Sequence, residues 1–301
     1  MEQEINVIYN VIHEPPLGVP IAIYFYMTGL SAGSFILSTL AYGFGVQKYK
    51  PLGKVGVVLA VLLLMLAPLN LIADLGQQFR FWHLFPYLNI TSPITYGTFL
   101  LTLYPLNCVI YAWFMFSGNH KLTKIFGLIG IPLATSVHGY TGFILALSKA
   151  RALWNTALMP ILFLVSAMVS GLALMILVVI IRGRFFSLEK KIDTDLVFDL
   201  GKILAFSIIG DLFLIFSDIA VLLTADSEAR EAAMLILTLN FSPIFLGGEI
   251  LLGALVPLFL LFFPPTGKRI LPVALAAVLV MVGIMAMRYV MVIGGQSVPL
   301  S

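Results

Sequence analysis

Apolar residues run through this chain in long unbroken blocks, and the polar residues gather in short gaps between them. Neither the 3.6-residue stripe of a surface helix nor the alternation of a half-buried strand organises the blocks. A helix needs about 20 predominantly apolar residues to cross a hydrocarbon core. Blocks of that kind fall at 18–46, 53–74, 94–116, 125–147, 158–181, 200–223, 241–263 and 270–293, which predicts eight membrane-spanning helices. The composition agrees: 60% of the 301 residues are hydrophobic and 10% are charged, too few charges to coat a soluble globule. The expected fold is therefore an all-α integral membrane protein of eight transmembrane helices, packed as two four-helix bundles in a single domain over 1–301. The largest polar connection, 182–199, mixes both signs and is too short to fold alone.

The net charge of +3 says little, but its distribution orients the chain. With eight spans the loops alternate between two sides. One side carries Lys48, Lys50, Lys54, Lys121, Lys124, Arg182, Arg184, Lys190, Lys191, Lys202, Lys268 and Arg269; the other carries Arg80, Lys149, Arg151 and Arg230. By the positive-inside bias the first side is cytoplasmic and both termini face outward. Residues 1–14 hold Glu2, Glu4 and Glu14 without a Lys or Arg, so no cleavable signal peptide is expected and the first block stays as an anchor. The single cysteine, Cys108, rules out an intrachain disulfide, and iron–sulfur ligation by this chain alone, since such clusters generally take four thiolates.

On the outward side, 76–93 is crowded with Phe79, Phe81, Trp82, Phe85 and Tyr87, which suits either an interfacial aromatic belt or a docking surface. Residues 227–239 predict a short helix along the interface, capped by Asp226 or Ser227, with Glu228 and Glu231 in its first turn. Gly29 and Gly33 form a GxxxG ridge that permits close helix approach.

Asp74, Asp211, Asp218, Glu249 and Arg288 stand inside or at the edge of apolar blocks. Placing an ionisable group in hydrocarbon costs roughly 2.5–3.5 kcal/mol on insertion scales, so such residues tend to line a proton path or ligand site, or to pair. Asp74 and Arg80 are six apart and would pair if the chain turned at Gly76. Asp211 and Asp218, seven apart, share a helix face. Glu249 is the best relay candidate, unless it is permanently paired with Arg288. Of His13, His83, His120 and His138, only His138 lies well inside a block, too few ligands for a bis-histidine haem between helices. Tyr140 lies within about two turns of the outward end of the fourth block, and a phenol can donate to a carbonyl while keeping its proton. Residues two apart on a helix point to different faces. Tyr140 is therefore preferred for a ligand and His138 for an interhelical hydrogen bond, with interfacial anchoring the plainer role for Tyr140.

Seven segments in order resemble the polysulfide reductase membrane subunit family of the NrfD/PsrC type. They are 24–33 (YFYMTGLSAG), 74–82 (DLGQQFRFW), 91–93 (TSP), 138–142 (HGYTG), 150–155 (ARALWN), 248–253 (GEILLG) and 288–296 (RYVMVIGGQ). The resemblance covers nearly the whole chain. It implies an eight-helix subunit of a molybdoenzyme-like oxidoreductase complex in a bacterial or archaeal cytoplasmic (inner) membrane. Such a subunit binds menaquinone or another quinone near the outer surface, beside a four-cluster iron–sulfur subunit and a catalytic, molybdopterin-type subunit. The resemblance carries the family's quinone-binding tyrosine over to Tyr140, and together with the residues above it gives a candidate quinone-binding set of Tyr140, Tyr24, His138 and Gly142 and a candidate proton and charge relay of Asp74, Arg80, Glu249, Asp211, Asp218 and Arg288. No haem, iron–sulfur cluster or other metal is expected in this chain, and no nucleic-acid partner; beyond those subunits its surroundings are membrane lipid. Two positions depart from the family pattern: Tyr24 stands where family members place a histidine, and Gln77 and Gln78 replace an Arg-Pro pair. Two other classes remain open on the residues alone, a proton-coupled transporter using the same carboxylates and a purely structural anchor.

Overall fold

The computed structural model describes residues 17–186 and 192–297; His13, Lys190 and Lys191 and the acidic residues of 1–14 lie outside them. Eight helices long and apolar enough to cross a membrane are present, and the described residues contain no strand. The spans are Val19–Tyr42, Lys50–Ala73, Pro93–Phe116, His120–Ala146, Met159–Ile181, Thr194–Thr224, a seventh made of Pro243–Leu255 and Val256–Phe262, and Ile270–Tyr289.

Capping explains where several of them begin. The fourth span starts five residues before its apolar block, because the Asn119 side chain accepts from the Leu122 amide at 3.2 Å and starts a polar first turn. Asp193 does the same for the sixth span, accepting from Leu196 at 3.0 Å. Asp226 caps the interfacial helix Ser227–Leu237 through the Ala229 amide at 2.9 Å. Gly118, with φ of 75°, supplies the left-handed residue that reverses the chain between the third and fourth spans.

The first span is the hub. Ser31 and Ser38 donate to the carbonyls of Ala60 (3.1 Å) and Gly53 (2.6 Å) on the second span. Tyr111 of the third span reaches Ser38 at 3.1 Å, and Tyr26 donates to the Met281 carbonyl of the eighth at 3.1 Å. The GxxxG ridge faces inward: a Cβ on Gly33 would lie 2.7 Å from the Gly171 Cα, so the first and fifth spans touch backbone to backbone. Gly253 and Gly283 bring the seventh and eighth together in the same way. Each span packs against its neighbours in sequence, and the fifth lies against the first and fourth as well as against the sixth and eighth. Leu62, Met65, Leu69, Phe206, Phe213 and Phe216 remain exposed, as side chains facing lipid would be.

Three stretches among the described residues are wound in the wider π register: Arg182–Phe186 at the end of the fifth span, Pro243–Leu255, containing Glu249, and Val290–Gly294, just beyond Arg288. Such segments occur often at functional sites.

Candidate functional site

The bundle has two unlike ends. At the basic end Arg182 donates to the Pro51 carbonyl at 2.8 Å and Lys48 pairs with Asp199. A cavity of about 730 Å³ opens there, lined by Lys48, Asp193, Asp195, Asp199, Lys202 and Lys268. At the other, aromatic end, Phe79, Trp82, Phe85 and Tyr87 are all exposed.

Within about two turns of the aromatic end, three spans present Tyr24, Gly97 and Tyr140 at one level. The Tyr140 ring lies on Gly97, where a Cβ would collide with the Tyr140 hydroxyl and ring edge. Tyr24 is buried and its phenol is within electrostatic reach of Tyr140, which is itself only half-buried. The result is a pair of phenols, one buried and one half-exposed, each able to hydrogen-bond a carbonyl or hydroxyl. Gly142 is not part of it. Its α-carbon faces the backbone of Met159 and Pro160, where a Cβ would approach to 2.7 Å, so this glycine seats the fourth span on the fifth.

A clasp lies at the same end of the bundle. Gln296 accepts from the Leu17 amide at 2.9 Å and donates to the Leu17 carbonyl at 2.8 Å, while Arg151 donates to the Gln296 carbonyl at 2.9 Å. Trp154 donates to the Met291 carbonyl at 2.5 Å. Both oxygens of Asp74 lie 3.1 Å from the Gly18 amide, at the mouth of the first span. The expected Asp74–Arg80 pair is not made. Gln78 donates to the Ala73 carbonyl at 2.8 Å, and the following 3₁₀ turn, Gln78–Leu84, carries Arg80 out to an exposed position. Substituting Gln296→Ala removes both bonds to Leu17. Hydrogen exchange at the Leu17 and Gly18 amides is expected to rise about tenfold, equivalent to about 1.4 kcal/mol of lost hydrogen bonding.

Deeper in, Arg288 is completely buried. One terminal nitrogen, Nη2, donates to Ser166 Oγ at 2.6 Å and to the Phe163 carbonyl at 3.1 Å, and lies 3.2 Å from His138 Nε2. The guanidinium carbon stacks 3.8 Å from the Phe163 ring centre. His138 thus bridges the fourth span to the eighth and sits over Gly29 of the first. Asp211 and Glu249 are buried within electrostatic reach of Arg288, but neither forms an ion pair with it within 4.0 Å. Asp218, one face-repeat along from Asp211, takes a hydrogen bond from the Thr156 hydroxyl instead. Among the described residues no three His, Cys, Asp or Glu side chains gather to hold a metal ion.

The site residues therefore fall into three groups. Tyr24 and Tyr140 lie near the aromatic end within electrostatic reach of each other, Asp74 belongs to the clasp, and His138, Arg288, Asp211 and Glu249 form the interior cluster. Gly97, Ser166, Phe163, Thr156 and Gln296 join them without having been singled out for a role in the sequence. Only Gln296 carried a signal, as a polar residue at the close of an apolar block.

The family profile described as polysulphide reductase, NrfD, matches residues 9–299. The protein is 31% identical to the C subunit of selenate reductase from Mesobacillus selenatarsenatis, over 94% of its own length and 74% of that relative. It is 29% identical to the Hdr-like menaquinol oxidoreductase integral membrane subunit of Archaeoglobus fulgidus, over 91% and 69%. With the C polypeptide of polysulfide reductase from Wolinella succinogenes it shares 26% identity, over 92% and 93%.

Proposed function

The chain belongs to the NrfD polysulphide reductase family, and from that premise we propose that it is the quinone-reactive membrane subunit of a multisubunit respiratory oxidoreductase. It exchanges electrons between the quinone pool, menaquinone or another quinone, and an iron–sulfur subunit docked on the aromatic end. The named relatives support a membrane redox subunit, since each is part of a reductase or oxidoreductase and one is named as an integral membrane subunit. The observation that carries the quinone assignment is the pairing of the Tyr24 and Tyr140 phenols beside Gly97, at a level that lipid-soluble molecules reach.

The chemistry asked of these residues is modest. Quinol oxidation releases two electrons and two protons. Tyr140 orients the headgroup by a hydrogen bond to its oxygen, and Tyr24 closes the inner wall against water. The electrons pass to a cluster in the iron–sulfur subunit, which in turn serves a catalytic, molybdopterin-type subunit that meets the terminal substrate. The weight of Lys and Arg at the opposite end supports an aromatic end, and both chain termini, facing outward from a bacterial or archaeal cytoplasmic membrane. The exposed aromatic loop then supports docking of the partner from that side.

In the purified complex Tyr140→Phe is expected to lower quinol-dependent turnover about tenfold, the equivalent of one hydrogen bond worth about 1.4 kcal/mol. Unchanged turnover would remove Tyr140 from the mechanism. Mild solubilisation is expected to recover the chain with an iron–sulfur subunit. A chain that elutes alone and drives proton-linked uptake in liposomes would replace this reading with a transporter.

A further inference from the structure

The interior cluster does not belong to the tyrosine pair. Asp211 on the sixth span, Glu249 on the π-wound part of the seventh and Arg288 on the eighth are 6%, 3% and 0% exposed. All three interact electrostatically with one another. Both oxygens of Glu249, Oδ1 of Asp211, and Nε and Nη1 of Arg288 are buried without a hydrogen-bond partner. Buried polar atoms are almost always partnered, so five uncommitted atoms on three buried ionisable side chains within electrostatic reach of one another are the mark of a site rather than of helix glue. The aspartate and glutamate come from different helices, and the π register carries Glu249 toward the interior.

Charge balance says what the site holds. Arg288 stays cationic, and two ionised carboxylates facing one guanidinium would leave a net negative charge in a membrane interior, where uncompensated charge is strongly disfavoured. The other titratable groups turned toward Arg288 are His138 on the fourth span and Tyr26 on the first; His138 is not an anion, and Tyr26 is a phenol whose proton is donated to the Met281 carbonyl. The neutral Tyr26 phenol cannot become a cation, and His138 could offset a second negative charge only by gaining a proton beside a fixed cation. Asp218, held by Thr156, lies outside the set. Neutrality is reached when a single proton serves both carboxyls.

We propose that Asp211 and Glu249 together hold one exchangeable proton against the fixed charge of Arg288, a proton-storage site in the second half of the helix bundle. Loading forms one O–H bond on either carboxyl and unloading breaks it; nothing else is made or broken. The two groups titrate as a pair rather than as separate acids. The site deepens the quinone reading, on which it rests, by giving proton traffic a place to stop, and through His138 it touches the helix that carries Tyr140.

Infrared spectroscopy of the purified complex in H₂O and D₂O tests this directly, through the carboxylic-acid C=O stretch that shifts on deuteration. The wild type is expected to show such a band, and both Asp211→Asn and Glu249→Gln are expected to lose it, because each leaves one carboxylate balancing one guanidinium. Asp218→Asn serves as the control and is expected to retain the band. A wild type without the band, or a band that survives in either single variant, overturns the proposal. Should Asp211→Asn fail to assemble, Asp211→Ser replaces it. Tyr140→Phe is expected to keep the band whatever it does to quinol turnover, so the two assignments fail separately.

Discussion

Arg288→Met is expected to destabilise the protein by about 3–5 kcal/mol, the range seen when one partner of a buried charged set is removed. The methionine fills much of the volume and keeps contact with the Phe163 ring, but Ser166, the Phe163 carbonyl and His138 lose their link to the eighth span. The larger part of the cost comes from Asp211 and Glu249, which are left buried without a cation. Thermal unfolding in detergent, followed by fluorescence-detected size exclusion, measures the loss. The sign of a second substitution is the sharper check. Asp211→Asn added to Arg288→Met removes an uncompensated charge and is expected to recover part of the stability, a favourable coupling that a double-mutant cycle would read. Arg288→Lys is expected to recover less than the retained charge suggests. An ammonium cannot lie flat on Phe163 while reaching several acceptors in the plane of a fork.

Gly33→Val is expected to prevent the first and fifth spans from seating. A Cβ at Gly33 meets the Gly171 Cα at 2.7 Å and the Ala167 carbonyl oxygen at 2.8 Å, and neither backbone atom can turn aside as a side-chain tip would. Overpacking typically costs about 1–3 kcal/mol and occasionally more. Here it acts on the hub helix, so the loss spreads to every span that helix touches. Little folded protein is expected after solubilisation, judged by the monodisperse peak. Gly139→Ala is the matched control: no atom lies within 4 Å of its would-be Cβ, and near-wild-type recovery is expected.

How much of this was legible depends on the range of each interaction. The eight spans are written as runs of apolar residues, and the crossing helices follow them closely. The fourth and sixth begin earlier than the apolar blocks, because His120, Lys121, Thr194 and Asp195 occupy first turns whose stability comes from the caps Asn119 and Asp193 rather than from hydrophobicity. The Asp226 cap was readable because its partner is three residues away. Asp74 shows the opposite case: Arg80, near in sequence, suggested a pair, while the actual donor, Gly18, is 56 residues away. Arg288 was singled out as a charge in an apolar block, yet nothing marks Ser166 or Phe163 as its partners, since a serine and a phenylalanine in an apolar helix look like packing. The π winding around Glu249 has no counterpart in hydrophobic periodicity, because that segment is apolar on most sides. Tyr24 and Tyr140 drew notice through family resemblance, whereas Gly97, which makes room for the Tyr140 ring, did not.

The Gln296 clasp has a consequence for how the protein is made. Its two bonds to Leu17 join residues 279 positions apart, so the mouth of the first helix stays unlatched while all the others are threaded into the bilayer. A ribosome that stalls, or a message cut short, anywhere before Gln296 releases a product whose entrance is still open. Closure of the molecule thus waits for the eighth span, and a membrane protease that probes loose helix ends would tell copies with that span seated from copies without it.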